Sequence, residues 1–232
     1  MARLSRLAAP GLPHFVLQRG RGHVPVFGDI EDRRLYLAWL RESAQGLCVA
    51  VHAYVLLPGE VMLVATPADA SALGRLIQVV GGRYARHHNR RHGLRGGLWD
   101  GRFRACVFDP EAHLLAAMRF VEAAPQRAGL VGDAADYPWS SLPHHLGRTI
   151  DPLVSDPAAY WAQGNTPFER QARYRLGFDS RALPGFGERL LAAANRGWPL
   201  GEADFLLALR SAGARPVAPK PRGRPRKMAP NQ

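Results

Sequence analysis

The chain has 232 residues, 47% of them hydrophobic, and a formal net charge of +12 at pH 7, so it can form one sizeable domain with a smaller extension. Two cysteines are too few for a disulfide framework or a zinc cluster, and no apolar run reaches the roughly 18 residues of a membrane helix. Pro10 and Pro13 interrupt the N-terminal stretch, which does not have the pattern of a signal peptide. We therefore expect a cytoplasmic protein without membrane contact.

The apolar patterns predict alternating strands and helices over the first 130 residues. The order is strand, helix, strand, strand, helix, strand, helix, over residues 14–20, 29–46, 47–57, 60–67, 69–93, 98–108 and 109–130. The very short turn at Pro58 and Gly59 predicts that the second and third strands pair as an antiparallel hairpin. This order predicts an α+β fold of the ferredoxin-like, split βαβ type, an antiparallel sheet with helices on one face.

The remainder of the chain has a different pattern. From residue 150 it is punctuated by proline, and short helices are expected at 166–178, 185–197 and 201–213. The last 19 residues contain five prolines and no acid, a composition typical of a disordered tail. We therefore predict three units: a domain at 1–145, a helical region at 150–213 and a basic tail at 214–232.

The positive charge is concentrated in two blocks. Residues 75–104 carry a net charge of +7, residues 214–232 carry +6, and the rest of the chain carries −1. Two blocks of one sign are typical of a protein that binds a polyanion, and we expect nucleic acid rather than an acidic membrane surface or an acidic protein.

Within the first block, basic residues alternate with the aromatic residues Tyr84, Trp99 and Phe103. This mixture suits single-stranded or hairpin DNA, whose bases stack on aromatic rings while cations neutralise its phosphates. A plainly solvated helix face is the alternative interpretation. The DNA-binding candidates of this block are Arg83, Arg86, Arg90, Arg91, Arg102 and Arg104.

The tail contains the segment Pro221-Arg222-Gly223-Arg224-Pro225, which matches the AT-hook core. Glycine lets such a backbone enter the narrow minor groove of A·T tracts, and proline keeps it extended so that both arginines lie along the groove. A generic basic tail that binds phosphates is the alternative. The candidates of this block are Arg222, Gly223, Arg224, Pro225, Arg226 and Lys227.

Several segments follow one another as in a known family. They are PGLPHFVLQRG, IEDRRLYLAWL, HAYVLLP, NRRHG, GLWDGRFRA, AMRFVEAAPQRAGLV and DYPWSS, spread over residues 1–145. In this order they resemble the single-tyrosine transposases with a His-hydrophobic-His motif, and most of all the REP-associated tyrosine transposases of bacteria. The resemblance implies binding of single-stranded DNA next to hairpins, and monomers and dimers both occur in the family, so a homodimer stays open.

The resemblance also implies where catalytic residues should lie. The family places two histidines on a strand and a tyrosine and a polar ligand on the last helix, so that Mg²⁺ or Mn²⁺ polarises the scissile phosphate while the tyrosine attacks it. Here Glu60 and Met62 stand at the histidine positions, Phe120 at the tyrosine position and Ala124 at the position of the third ligand. No catalytic residue, metal ligand or cofactor is therefore predicted, and we expect a chain that cannot cleave DNA.

Strand and helix periodicity agree with these positions. Residues 60 and 62 share one face of a strand, about 7 Å apart, but a Met thioether is a soft ligand that does not suit Mg²⁺. Phe120 lies on a second face of its helix, away from the apolar stripe around Met118, and we expect it to pack against Glu60 and Met62.

Other polar residues admit alternative interpretations. His87, His88 and His92 are expected to contact phosphates rather than a metal, and His144 and His145 are expected in a loop. An active transposase or nickase that uses Glu60 with His113 or His52, and then Mg²⁺ or Mn²⁺, is the main alternative function. An RNA-binding protein is the third, because the strand order resembles that of RNA-recognition domains. The preferred hypothesis is a nucleoid-associated protein that binds hairpin or single-stranded DNA and, through its tail, A·T-rich duplex.

Overall fold

The computed structural model describes residues 7–179, 185–212 and 215–218. Within these ranges one antiparallel sheet contains four strands: β1 (His14–Arg19), β2 (Val49–Leu57), β3 (Glu60–Pro67) and β4 (Arg104–Val107). The spatial order of the strands is β2-β3-β1-β4, and β1 pairs antiparallel with both β3 and β4. This is the predicted ferredoxin-like arrangement, and the predicted hairpin of β2 and β3 is confirmed.

The helices of the described residues follow the predicted order. They are α1 (Ile30–Gly46), α2 (Ala72–His92), α3 (Pro110–Glu122), α4 (Ala124–Arg127), α5 (Leu142–His145), α6 (Ala158–Trp161), α7 (Pro167–Asp179), α8 (Phe186–Arg196) and α9 (Ala203–Ser211). Capping explains several helix starts: the Asp29 carboxylate accepts a hydrogen bond from the amide of Asp32, and Asp109 caps α3 directly before Pro110. Short 3₁₀ turns lie at Arg21–His23 and Ala134–Asp136.

The strands alternate their side chains between two cores. Val16, Val61 and Leu63 point to the face that α1 and α2 cover. Their neighbours Phe15 and Met62 point to the opposite face, which α3 and α8 cover. Both faces of the sheet are thus buried, and the helical C-terminal region completes the second one.

Two elements are shorter than predicted. The strand predicted at 98–108 is regular only from Arg104 to Val107, because Gly101 adopts a left-handed conformation (φ 63°) that interrupts the extended chain. Trp99 keeps a single antiparallel bridge to Gly20. The helix predicted at 109–130 ends at Glu122, and the turn α4 follows around Pro125, which has no amide hydrogen to donate.

The three predicted C-terminal helices are confirmed as α7, α8 and α9. Tyr160, Tyr174, Phe186 and Leu190 belong to the same core as the second face of the sheet. The three-unit division at 1–145, 150–213 and 214–232 stays a prediction, and the tail candidates at 222–227 lie outside the described residues. None of the helices that the structure describes is long and apolar enough to cross a membrane.

Candidate functional site

A cavity of about 620 Å³ lies between the sheet, α3, α4, α7 and α8. Glu60 and Met62 of β3 line it, and so do Phe120 of α3 and Ala124 of α4. The antiparallel register places Glu60 opposite Arg19 and Met62 opposite Leu17, which directs both β3 side chains to this face. The fold therefore brings together the four positions at which the sequence resemblance expects metal ligands and a nucleophile.

The groups at these four positions do not form a metal site. One carboxylate oxygen of Glu60 accepts a hydrogen bond from the Nε of Arg19 at 2.9 Å. Met62 and Ala124 are 5% and 3% exposed and belong to the hydrophobic core, and neither offers the hard oxygen or nitrogen donors that Mg²⁺ prefers. Among the described residues, no group of three or more His, Cys, Asp or Glu side chains could hold a metal ion.

Phe120 packs into the wall of the cavity that Glu60 and Met62 also line, and its direct packing against those two residues stays a prediction. Its ring meets that of Phe15 edge to face, with ring centroids 6.1 Å apart, and the guanidinium carbon of Arg127 lies 4.0 Å from its centroid. Gly187 of α8 faces the ring so closely that an added Cβ would come within 2.4 Å of it. The ring is therefore held on three sides by a strand, a cation and the backbone of a helix.

Three arginines that the sequence analysis did not single out also line the cavity: Arg19, Arg119 and Arg127. The guanidinium carbon of Arg119 lies 4.9 Å from the ring centroid of Tyr174, and burial lowers the pKa of Arg119. Arg127 is exposed as a whole residue, but burial of its guanidinium group lowers its pKa to about 10, so it remains charged at neutral pH.

The residues proposed for an alternative metal site lie apart. His52 is on β2 five residues before Leu57, the partner of Glu60, a separation of about 16 Å along the strand. Its ring nitrogens are engaged by the carbonyl of Ser155 and the hydroxyl of Thr66, at 2.7 and 2.8 Å. His113 is 5% exposed and packs against Phe186 rather than lining the cavity.

The six arginines predicted from the first basic block divide into two groups. Three of them are tied to the protein. Arg83 donates to Glu42 and lies over the ring of Trp39, Arg91 pairs with both Asp29 and Asp32, and Arg104 donates to Asn195 and Asp100. Their charges are partly neutralised, most completely for Arg91, because the Asp32 carboxylate is fully buried beneath it.

The other three, Arg86, Arg90 and Arg102, are exposed, and the structure gives them no acidic partner among the described residues. Arg102 belongs to a loop that is fixed at the cavity end of the sheet. The amide of Asp100 donates to the carbonyl of Arg19, and the amide of Arg21 donates to the carbonyl of Leu98, both at 2.8 Å. The unpaired basic side chain of Arg102 therefore lies near the end of β1 that contributes Arg19 to the cavity.

The expectation that Tyr84 stacks on a DNA base is wrong. Tyr84 is fully buried, donates its hydroxyl hydrogen to the carbonyl of Val26 and packs among Phe27, Tyr36 and Trp99, so it cannot stack on a base. Tyr84 belongs to the core beneath α1 and α2, because helical periodicity places it on the same face of α2 as Leu76 and Val80. Trp99 and Phe103 are only partly buried.

One of the three histidines of α2 faces inward. His88 is 5% exposed and lies against Tyr84 and His92, and burial lowers the pKa of His88, so it is not the phosphate contact that the sequence suggested. His87 is half-buried and His92 is exposed, and they lie 3.9 and 3.2 Å from carboxylate oxygens of Asp32. A phosphate contact by His87 or His92 stays a prediction.

A buried carboxylate network adjoins the cavity wall and was not predicted from the sequence. It comprises Glu122, Ser141, His145, Asp156 and Tyr174. Glu122 is fully buried and accepts hydrogen bonds of 2.6 Å from Ser141, from Nδ1 of His145 and from the hydroxyl of Tyr174. Although burial alone would lower it, the pKa of His145 is raised to about 9 by Glu122 and Asp156. The expectation that His145 lies in a loop is wrong, because it belongs to α5 and is fully buried.

No protein-family model matches the chain, and no curated protein matches it. Solved structures do match it, and two of them are described here. One is the structure of the REP-associated tyrosine transposase bound to a REP hairpin, with a TM-score of 0.52 and 17% identity over 68% of this chain and 92% of that one. The other is a candidate transposase from Deinococcus radiodurans R1, with 18% identity over 45% of this chain and 84% of that one, but its TM-score of 0.34 is too low to indicate a shared fold.

The match to the hairpin-bound transposase covers nearly all of that protein. At 17% identity the match shows a common fold. The chemistry of the site follows only from the residues of this chain. The chain therefore has the fold of a REP-associated tyrosine transposase.

Proposed function

We propose that this chain is a DNA-binding relative of the single-tyrosine transposases that binds hairpin or single-stranded DNA and has lost cleavage. One observation carries the proposal. The four positions at which the family has two histidines, a tyrosine and a polar ligand line one cavity here and hold Glu60, Met62, Phe120 and Ala124. A phenylalanine has no hydroxyl to attack phosphorus, and the three other side chains cannot assemble a hard-metal site.

The basic surface supports binding. Arg86 and Arg90 lie one turn apart on α2 and are exposed, and Arg102 is exposed in the loop fixed beside Arg19. Exposed cations without acidic partners are free to neutralise phosphates and release counterions. The transposase that shares this fold was solved bound to a REP hairpin, which supports hairpin DNA as the ligand to test first.

The experiment measures binding and cleavage on the same DNA. A fluorescent single-stranded hairpin is titrated with the protein at several salt concentrations, with and without Mn²⁺, and the products are separated on denaturing gels. We expect salt-dependent binding and neither a nick nor a covalent protein–DNA adduct. An adduct or a nick would show that the chain is an active transposase.

A triple variant, Arg86→Ala, Arg90→Ala and Arg102→Ala, tests the surface. If each arginine neutralises one phosphate, the slope of log affinity against log salt should fall by about 2 to 3. A matched triple variant, Arg34→Ala, Arg41→Ala and Arg210→Ala, removes the same charge from exposed positions on α1 and α9. An equal loss in both variants would show that net charge, and not this surface, holds the DNA.

Two alternatives are less well supported by the geometry. An active nickase built on Glu60 with His52 or His113 lacks a common site, since these histidines lie elsewhere with their own partners. An RNA-recognition mode uses an open sheet face for stacking bases, whereas helices cover both faces of this sheet in the described residues.

The tail adds a second DNA contact to the proposal. Residues 222–227 retain the AT-hook-like pattern, and we propose that they bind the minor groove of A·T-rich duplex and keep the protein on the nucleoid.

A further inference from the structure

The outer face of α7 carries an apolar stripe. Phe168, Ala172 and Leu176 follow one another at intervals of four residues, and all three are exposed, the two large side chains to 82% and 64%. Residues four apart form one ridge along the surface of a helix. Single exposed apolar residues are common on soluble proteins, but a contiguous row of them is a feature of surfaces that meet a partner.

The opposite face of the same helix already holds α7 in place. Tyr174 is fully buried and donates its hydroxyl hydrogen to Glu122 at 2.6 Å. The guanidinium carbon of Arg170 lies 4.4 Å from the ring centroid of Trp161. The helix is therefore anchored without the stripe, and substitutions on the stripe leave these contacts intact.

The order of side chains in the stripe is self-complementary. When two copies of α7 pack antiparallel about a two-fold axis at Ala172, Phe168 of one copy lies opposite Leu176 of the other. The small side chain at the crossing point lets the two helices approach closely. Ridges of residues four apart pack into one another's grooves in the commonest class of helix contact. The stripe therefore fits a second copy of itself, with a large side chain on each side of the axis.

The charges beside the stripe suit the same arrangement. Glu169 and Arg173 lie one turn apart on one flank of α7, and both are exposed. Glu169 uses one oxygen, Oε2, to accept the amide hydrogen of Asn165, and no ion pair joins Arg173 to an acid within the part of the chain that the structure describes. A two-fold axis brings the same flanks of two helices together in reversed order, so Glu169 of one copy lies near Arg173 of the other. Opposite charges thus meet twice across the axis.

We propose that α7 is a self-association surface, on which a second copy of this chain docks with its own α7 antiparallel. The helix has 13 residues and is about 20 Å long, so the contact is smaller than the roughly 1,200–2,000 Å² of a stable interface. The dimer is therefore weak, with a dissociation constant on the order of 10–100 µM. The surface lies outside residues 1–145, which carry the resemblance to the transposases, and the proposal goes beyond DNA binding and does not rest on it.

The first test is sedimentation velocity of the full chain without DNA, at concentrations from about 1 to 300 µM, which bracket that constant. We expect a monomer–dimer equilibrium. Leu176→Glu should weaken association by about 10-fold or more, because a symmetric interface contains each substitution twice. Leu207→Glu is the matched control, since Leu207 on α9 is 56% exposed, and it should leave the equilibrium unchanged.

A second test examines the register of the two helices. Ala172→Cys is made together with Cys48→Ser, because Cys48 is an exposed free thiol. The two introduced thiols adjoin the axis, so oxidation with diamide should join the copies through a disulfide. Ala203→Cys in the same background places a thiol at an exposed alanine of α9 and should give far less linked dimer.

Three results would overturn the proposal. One is a chain that stays monomeric at the highest concentration, which would leave the stripe to a different protein. The second is a dimer that Leu176→Glu does not weaken, because such a dimer uses another surface. The third is an equal yield of linked dimer from Ala172→Cys and Ala203→Cys, which indicates random collision. Hairpin binding is measured separately with DNA, so failure of either proposal is visible without the other.

Discussion

The buried carboxylate network makes stability depend on pH between about 6.5 and 9. The pKa of His145 is raised from 6.5 to about 9 in the folded protein. A raised pKa means that this histidine contributes stability that is fully present below pH 6.5 and is lost as the pH rises through about 9. Its full contribution corresponds to about 3 kcal/mol, of which about 2 kcal/mol should be lost between pH 6.5 and 8.5.

Three other histidines act at the lower edge of this window and in the opposite direction. Burial lowers the pKa of His14 to about 4 and also lowers that of His52 and His88, so together they add about 1 kcal/mol of stability as the pH rises from 6.5 to 8.5. The pKa of Cys106 is raised to about 12 by burial, so its effect begins near pH 9. The pKa of Asp156 is lowered despite its burial, by hydrogen bonds from His144 and His145, and its contribution is lost only in acid.

The assay is urea unfolding at pH 6.5, 7.5 and 8.5, followed by tryptophan fluorescence. The wild type should lose about 1 kcal/mol of unfolding free energy across the series, whereas His145→Gln should be less stable at pH 6.5 and should gain about 1 kcal/mol as the pH rises to 8.5, because the three buried histidines remain. His92→Gln is the matched control, because it removes a histidine near a different buried carboxylate, Asp32. If His145→Gln retains the wild-type slope, the raised pKa of His145 is not the source of the pH dependence.

Three further outcomes are expected. Phe120→Tyr should give no covalent adduct with hairpin DNA and Mn²⁺ on denaturing gels, because a hydroxyl without metal ligands is not activated; an adduct would mean that this cavity still holds a metal. Arg91→Ala should lower the free energy of unfolding, since buried Asp32 loses a partner, yet should weaken hairpin binding less than Arg90→Ala does; the reverse ranking by anisotropy would place Arg91 in the DNA interface. Deleting residues 220–227 should weaken binding to A·T-rich duplex far more than to hairpin single strands, and equal losses would count against an AT-hook.

The sheet and its order could be predicted because each strand carries its own signal. Period-2 alternation in β3, the Pro58-Gly59 turn and the capping acids of α1 and α3 are local features, and the structure follows them closely. The same alternation placed Glu60 and Met62 on one face, and helical periodicity placed Phe120 beside them. Local patterns were therefore sufficient to predict which side chains lie at the four positions in the cavity.

The features that could not be predicted depend on contacts between segments that are distant in sequence. Whether an arginine is available for DNA is decided by acids far away in sequence, such as Glu42 for Arg83 and Asp29 for Arg91. The same limit applies to the buried network, where Glu122 meets a histidine and a tyrosine from two later helices. Sequence spacing within one helix cannot reveal these pairs.

The proposed function requires that DNA binding persist without cleavage. At the four positions where the resemblance expects catalytic groups, the side chains contribute to packing: Met62 and Ala124 are buried in the core, and Phe120 rests on Phe15. The arginines proposed to bind DNA, such as Arg86 and Arg90, do not line that cavity. Because the two sets of residues lie on different elements, we expect that replacing the first set leaves the second intact. A single protein that binds hairpins without nicking them, and loses binding only when the exposed arginines are removed, would demonstrate that separation.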